Sequence, residues 1–242
     1  VVGSMPLFME ADVAVENLKE LERRLEAGVM KAPAKPLDPA APFVGLQIKD
    51  VKYRYPGDYD ETEFTLGPIN LEVTPGEILF IVGGNGSGKS TLLKILTGLY
   101  YPTDGEVLVD GSRLERSDYP QYRQSFSAIF TDFFLFDRLY GVSPAVYGRA
   151  DDLLKWLDIS RKTTFDNGGF TNRNLSTGQR KRLALVAALL EERAVYVFDE
   201  IAADQDPEFR RRFYEEILPT VRDQGATVIA VTHDDRYFKC AD

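Results

Sequence analysis

The sequence predicts an α/β domain with a mostly parallel central sheet. Three observations lead there. Ile78–Val82, Ala194–Phe198 and Thr227–Val231 are short, nearly continuous apolar runs, the pattern of parallel strands covered on both faces. Segments with helical apolar spacing alternate with them, which implies parallel strands joined by right-handed crossovers. A glycine-rich loop joins the first of these strands to the next helix, and ligands in such sheets bind at the carboxyl ends of the strands.

Each element follows from its residues. Val107–Val109 is a further short apolar strand. Leu92, Ile95, Leu96 and Leu99 line one face of the helix after the glycine-rich loop, and Leu183, Ala187 and Leu190 line a second helix. Asp206-Pro207 forms an N-cap and first-turn pair. Phe209, Phe213 and Ile217 then repeat at intervals of four, and Gly225 closes that segment.

The N-terminal region has a different character. Val15, Leu18, Leu21 and Leu25 within AVENLKELERRLEAG give an amphipathic helix that ends at Gly28. That helix either packs on its own domain or is the cytoplasmic end of a membrane helix. Pro33, Pro36, Pro39 and Pro42 recur every third residue, which favours polyproline II and a semi-rigid linker. The expected division is 1–31 as connector helix, 32–43 as linker and 44–242 as the main domain.

Composition narrows the function classes. Apolar residues make up 44% and charged residues 28%, which excludes a disordered or collagen-like chain. Twenty-nine Lys and Arg against thirty-eight Asp and Glu leave a net charge of −9, which argues against nucleic acid as a partner. Cys240 is the single cysteine, so no disulfide forms within the chain. No apolar run approaches the roughly 18 residues of a membrane span.

Three motifs carry chemistry. GGNGSGKST, Gly83 to Thr91, fits G-x-x-x-x-G-K-[ST] with Gly83, Gly88, Lys89 and Ser90. Its backbone amides, including those at Asn85, Gly86, Ser87 and Thr91, can turn toward phosphate oxygens, and the next helix offers its N-terminus to the same anion. Lys89 can reach the β- and γ-phosphates, and the Ser90 hydroxyl can ligate Mg²⁺. VYVFDE places Asp199 and Glu200 at the end of a buried strand. Asp199 would hold Mg²⁺ through water, and Glu200 would polarise an attacking water or accept its proton. NLSTGQRKRLALVAALL starts a helix with capping-box spacing between Ser176 and Gln179, and Gly178 keeps its approach free of side chains.

At this point the chain resembles an ATP-binding cassette (ABC) ATPase. LSTGQ is similar to that family's LSGGQ signature, with Thr177 in place of a glycine. The resemblance runs from about Leu46 to the end. It implies a P-loop NTPase core with a mostly parallel sheet, an N-terminal antiparallel β subdomain, and a small α-helical subdomain at about 132–180 carrying the signature. It implies ATP and Mg²⁺ as cofactors, and a head-to-tail dimer in which Ser176, Thr177, Gly178 and Gln179 contact the partner's ATP. His233, the only histidine, matches the family's switch histidine. Tyr55 matches the aromatic that stacks on adenine, with Tyr53 as a competitor. Asp206 matches the D-loop aspartate at the dimer interface.

The chain also departs from the pattern. Thr131 stands where the family places a glutamine on Mg²⁺, and Ala203 replaces the D-loop serine. FSAIFTDFFLFDRLYG, DEIAADQDPEFRRRFYEEILP and THDDRYF are similar to the ATPase half of cyclic-peptide and siderophore-peptide exporters. In those proteins a transmembrane domain precedes the ATPase on one parent chain. The resemblance therefore implies that 1–31 is the cytoplasmic end of the last membrane helix and its connector. It also implies a location at the cytoplasmic face of the bacterial inner membrane, with this fragment itself soluble. A soluble ABC ATPase of repair or translation type is the alternative. It is disfavoured by the net charge and by the lack of a coiled-coil insertion or second cassette.

Overall fold

The computed structural model describes residues 43–55 and 64–242, with Lys19 alone of what precedes them. The expected connector helix and almost all of the proline-rich linker lie outside the described residues.

The central sheet is parallel throughout, in the order β3-β10-β9-β6. Its strands are β3 (Ile78–Ile81), β6 (Phe126–Ile129), β9 (Val195–Asp199) and β10 (Thr227–Val231). Every residue of β9 and β10, the two inner strands, is buried. This is why those strands read as unbroken apolar runs. β9 lies one residue later than expected, so Asp199 is the last residue of the strand itself. β3 stops short of Val82, which is 52% exposed where the chain turns into the glycine-rich loop. β6 was not expected as a strand, because FSAI carries Ser127 in its middle and is only four residues long.

The second sheet is antiparallel, in the order β2-β1-β4-β5, and forms the expected N-terminal β subdomain. It comprises β1 (Leu46–Arg54), β2 (Thr65–Val73), β4 (Asp104–Val109) and β5 (Ser112–Arg113). In β1 the buried residues are Leu46, Ile48, Val51 and Tyr53, so the alternation breaks between Ile48 and Val51. A register shift there, with Asp50 at φ +48°, returns the apolar side chains to the inner face. The Asn70 Oδ1 accepts the Asp50 N–H at 2.8 Å and holds this bulge.

Helix α1 (Lys89–Leu96) lies between the two sheets. Leu92, Leu93, Ile95 and Leu96 share one core with Leu46, Ile48 and Val51 on one side and Val195, Val197, Ile229 and Val231 on the other. Leu99, expected on this helix face, lies beyond its end and is 48% exposed. A short helix α2 (Tyr119–Tyr122) closes the same core.

The opposite face of the parallel sheet shows Tyr196, Phe198, Val228 and Ala230 to a second core. Helices α3 (Ala150–Trp156) and α4 (Thr177–Leu190) cover it, with α5 (Pro207–Arg212) and α6 (Leu218–Asp223). The segment expected as a helical subdomain holds less helix than its name implies. Before α4 it has a 3-10 helix at Pro144–Arg149, α3, and a hairpin of β7 (Phe165–Asp166) and β8 (Gly169–Phe170). Its Leu153, Leu154 and Leu157 join Leu183 and Phe198 in one core rather than forming their own.

Between α5 and α6, Phe213–Ile217 form a π-helical turn. Pro219, one residue further on, has no N–H to donate to a carbonyl one turn back, which favours a widened turn before it. Phe209, Phe213 and Ile217 are all buried, as their spacing predicts.

Candidate functional site

The glycine-rich loop leaves β3 and enters α1. Gly88 is the N-cap of α1 at φ +90°, a left-handed conformation. That conformation requires glycine, and a Cβ there would also stand 2.6 Å from Leu66 Cδ1 of the antiparallel sheet, so that side chain would have to shift. The Lys89 side chain turns back under the loop, and its Nζ donates to Gly83 O at 3.1 Å and Gly84 O at 2.9 Å. An ammonium thus sits inside a ring of backbone, beside a helix N-terminus with no acidic residue in its first turn.

Ser90 and Asp199 meet although 109 residues apart, the hydroxyl donating to Asp199 Oδ2 at 2.8 Å. Asp199 is 2% exposed, and its other oxygen, Oδ1, is buried without a hydrogen-bond partner. An orphaned carboxylate oxygen in a buried site is costly unless a cation meets it. The pair therefore fits a divalent, oxygen-seeking ion such as Mg²⁺.

Glu200 follows at φ +53°, an uncommon conformation for a side chain of its size that costs about 1–3 kcal/mol. Its N–H donates to Val231 O at 3.3 Å, tying it to the end of β10. Its Oε1 lies 2.9 Å from His233 Nε2, so the two expected catalytic residues are hydrogen-bonded. Both line a pocket of about 390 Å³ together with Tyr214 and Asp234.

The capping box at the start of α4 is formed in both directions. Ser176 Oγ accepts the Gln179 N–H at 3.4 Å, and Gln179 Oε1 accepts the Ser176 N–H at 3.2 Å. The loop after Glu200 packs on this turn. Gln205 Nε2 donates to Gly178 O at 2.9 Å, and Arg182 Nε donates to Gln205 Oε1 at 3.0 Å. A Cβ on Gly178 would approach Asp204 O to 2.9 Å, so the close contact needs glycine. Thr177 is the first residue of the helix and is exposed. Lys181 and Gln205, both buried, were not singled out from sequence. Their signal, a cation and an amide at otherwise apolar positions, is visible only once burial is known.

Asp206 caps α5 as predicted, its Oδ1 accepting the Phe209 N–H at 2.9 Å, and it also pairs with Arg182. The Phe209 N–H, with Arg182, holds its carboxyl below the usual value of 3.8. Arg236 does the same for Asp234 beside His233. A depressed folded-state pKa means the unfolded chain binds more protons, so this stability is present above pH 3.8 and lost as pH falls through the folded values. Urea midpoints are expected to drop between pH 6 and pH 3, and Asp206→Asn is expected to flatten part of that slope. An unchanged slope would show that Asp206 does not contribute.

Tyr55 and Tyr53 separate clearly. Tyr53 is buried and stacks on Tyr100 at 4.9 Å, so it belongs to the core. Tyr55 is 39% exposed, packs edge-on against both rings, and shares a hydrogen bond of 2.8 Å with Thr91 Oγ1 of the phosphate loop. Tyr100 was not anticipated as its support. Thr131 lies just past β6, at the same sheet end as Asp199, and is exposed. Among the described residues, no hydrogen bond links it to Ser90 or Asp199.

Known proteins place this arrangement. The family model described as "ABC transporter" matches residues 66–203, more than half of the chain. ATP-binding protein SyrD of Pseudomonas syringae pv. syringae is 45% identical over 210 residues, covering 85% of this chain and 37% of SyrD. Leukotoxin translocation ATP-binding protein LktB of Mannheimia haemolytica is 30% identical over 81% of this chain and 29% of its own. The chain thus spans about a third of the length of these two relatives. Proteins named for import of methionine and of spermidine/putrescine also match, at 32% identity. Among solved structures, a dimeric post-hydrolysis ATP-binding cassette bound to ADP and Pi superposes with a TM-score of 0.66 and 25% identity. That match covers 81% of this chain and 91% of that one. With the phosphate loop, the Ser90–Asp199 pair and the capped signature helix in one fold, the chain belongs to the ABC transporter family as one of its ATPases.

Proposed function

We propose that this chain is the ATP-hydrolysing domain of a homodimeric exporter whose cargo is a peptide or siderophore-like molecule. The observation that carries the catalytic part is the cluster at the carboxyl ends of β3, β9 and β10. There Lys89, the Ser90–Asp199 pair and the Glu200–His233 pair converge. Export, rather than import, is supported by the resemblance of Phe126–Gly141 and Asp199–Pro219 to peptide exporters and by the 30% identity to LktB, which is named for leukotoxin translocation.

In this reading the loop amides from Gly83 to Thr91 and Lys89 Nζ bind the ATP phosphates, and Tyr55 lies against the adenine. Ser90 and Asp199 hold Mg²⁺, with Thr131 a weak candidate; the ion offsets phosphate charge when bound. Glu200 accepts the proton of the attacking water, and His233 orients the Glu200 carboxylate and reaches the γ-phosphate. The signature of the partner copy, Ser176 to Gln179, closes on that phosphate, and Asp206 lies at the same interface. Ser176 to Gln179 bond to one another and to Gln205 of the loop after Glu200. Phe134, Phe136 and Tyr140 are 69%, 59% and 75% exposed and pack edge to face. Such a patch suits a protein contact, and we assign it to the transmembrane domain of the parent chain at the cytoplasmic face of the membrane.

Sedimentation equilibrium of Glu200→Gln with and without ATP and Mg²⁺ tests the sandwich. A dimer that forms only with nucleotide is expected. A chain that binds ATP yet remains monomeric at every concentration would remove the trans role of Ser176.

A further inference from the structure

We propose that Lys181 is a positioning residue for Glu200, so that the first turns of α4 govern the glutamate of the same chain. The inference rests on the role of Glu200 as proton acceptor. The Lys181 side chain is 4% exposed. Its Nζ donates to the backbone carbonyl of Glu200 at 2.9 Å and pairs with Asp204 Oδ2 at 2.7 Å. Burying an ammonium is unfavourable unless its donors are used. Here they are used on the carbonyl of Glu200, whose φ is left-handed, and on the Asp204 carboxylate.

The Glu200 backbone is thereby clamped from both sides. Val231 O takes its N–H, and Lys181 takes its carbonyl. With both ends held, the side chain projects to His233 at 2.9 Å. Without Lys181 the carbonyl keeps only the Ala203 N–H, at 3.2 Å, and the φ +53° conformation loses the charged donor that restrains it from α4.

The clamp is part of a longer seam. Gln205 bonds Gly178 O, Arg182 bonds Gln205, and Lys181 bonds Glu200 and Asp204. A shift of the signature turn must therefore move the loop that carries Glu200. In a head-to-tail dimer, the partner's nucleotide at Ser176–Gln179 would set the geometry of the glutamate serving the other nucleotide. The seam would then link the two sites.

Glutamine and methionine at position 181 form a matched pair, similar in size, and only glutamine carries a donor. Lys181→Met is expected to lower kcat by about 10-fold or more with KM for ATP within about threefold, while Lys181→Gln keeps about a third or more of kcat. A packing or charge role would move both variants equally, so equal kcat values overturn the proposal. If Lys181→Met shows no cooperative melt, Lys181→Gln decides alone: retained turnover supports the clamp, and turnover as low as that of Glu200→Gln overturns it. Glu200→Gln, measured alongside, separates the two ideas. Full activity in Glu200→Gln would sink the proton-acceptor role. Lost activity there with wild-type kcat in Lys181→Met would sink the clamp only.

Discussion

Glu200→Gln is expected to lower steady-state ATP turnover by roughly 10²–10⁴-fold, the usual range for a positioned general base. The substitution keeps side-chain length and a hydrogen-bonding group facing His233 Nε2, now 2.9 Å from Oε1. It leaves the backbone bonds to Val231 and Lys181 in place. What it removes is the carboxylate that can take a proton from water. ATP binding depends on the Gly83–Thr91 loop and on Lys89, and so is expected to be unchanged. Phosphate release at saturating ATP, beside equilibrium ATP binding, checks both halves. Turnover above about a tenth of the unmodified rate would assign the proton to another group, because a general base contributes at least about 10²-fold.

Phe213→Ala is expected to cost about 3–5 kcal/mol, the range for removing a buried aromatic ring. Phe213 is 1% exposed. Its ring packs edge-on against Phe198 at 5.8 Å and Tyr214 at 5.2 Å. It lies in the π-helical turn before Pro219, where the backbone has little freedom to close a cavity. At about 2–4 °C per kcal/mol for a domain of this size, Tm is expected to fall by roughly 6–20 °C. Because the ring supports Phe198 rather than touching Asp199, saturating ATP is expected to recover part of the loss by mass action. A loss under about 1.5 kcal/mol would mean that the π turn repacks around the gap, since a retained cavity costs more.

Relatives of this chain serve both import and translocation. A match to this ATPase core therefore does not by itself fix the direction of transport. Within the core, the phosphate-loop spacing, the strand-end acidic pair and the Ser176–Gln179 capping box rest on residues close in sequence. Local chemistry of that kind is readable from the residues alone. The buried strands β9 and β10 were legible for the same reason: a strand covered on both faces must be apolar throughout.

Other features depended on distant partners. The four-residue β6 is a strand because β9 pairs with it in parallel register, not because its own sequence demands one. Tyr55 and Tyr53 are two residues apart and similar in sequence context. Only the position of Tyr100 puts one in the core and leaves the other at the phosphate loop. Lys181 reads as a surface cation of an amphipathic helix until the loop from Glu200 to Asp206 folds over it.

Sequence by itself determined the α/β class, the residues of the phosphate and acidic motifs, and the caps of α4 and α5, because each rests on short-range backbone chemistry. Tertiary structure alone decided the orphaned Asp199 oxygen, the left-handed Glu200 and the buried Lys181 clamp. Those depend on burial and on partners tens of residues away, and neither quantity is encoded in any local run of side chains.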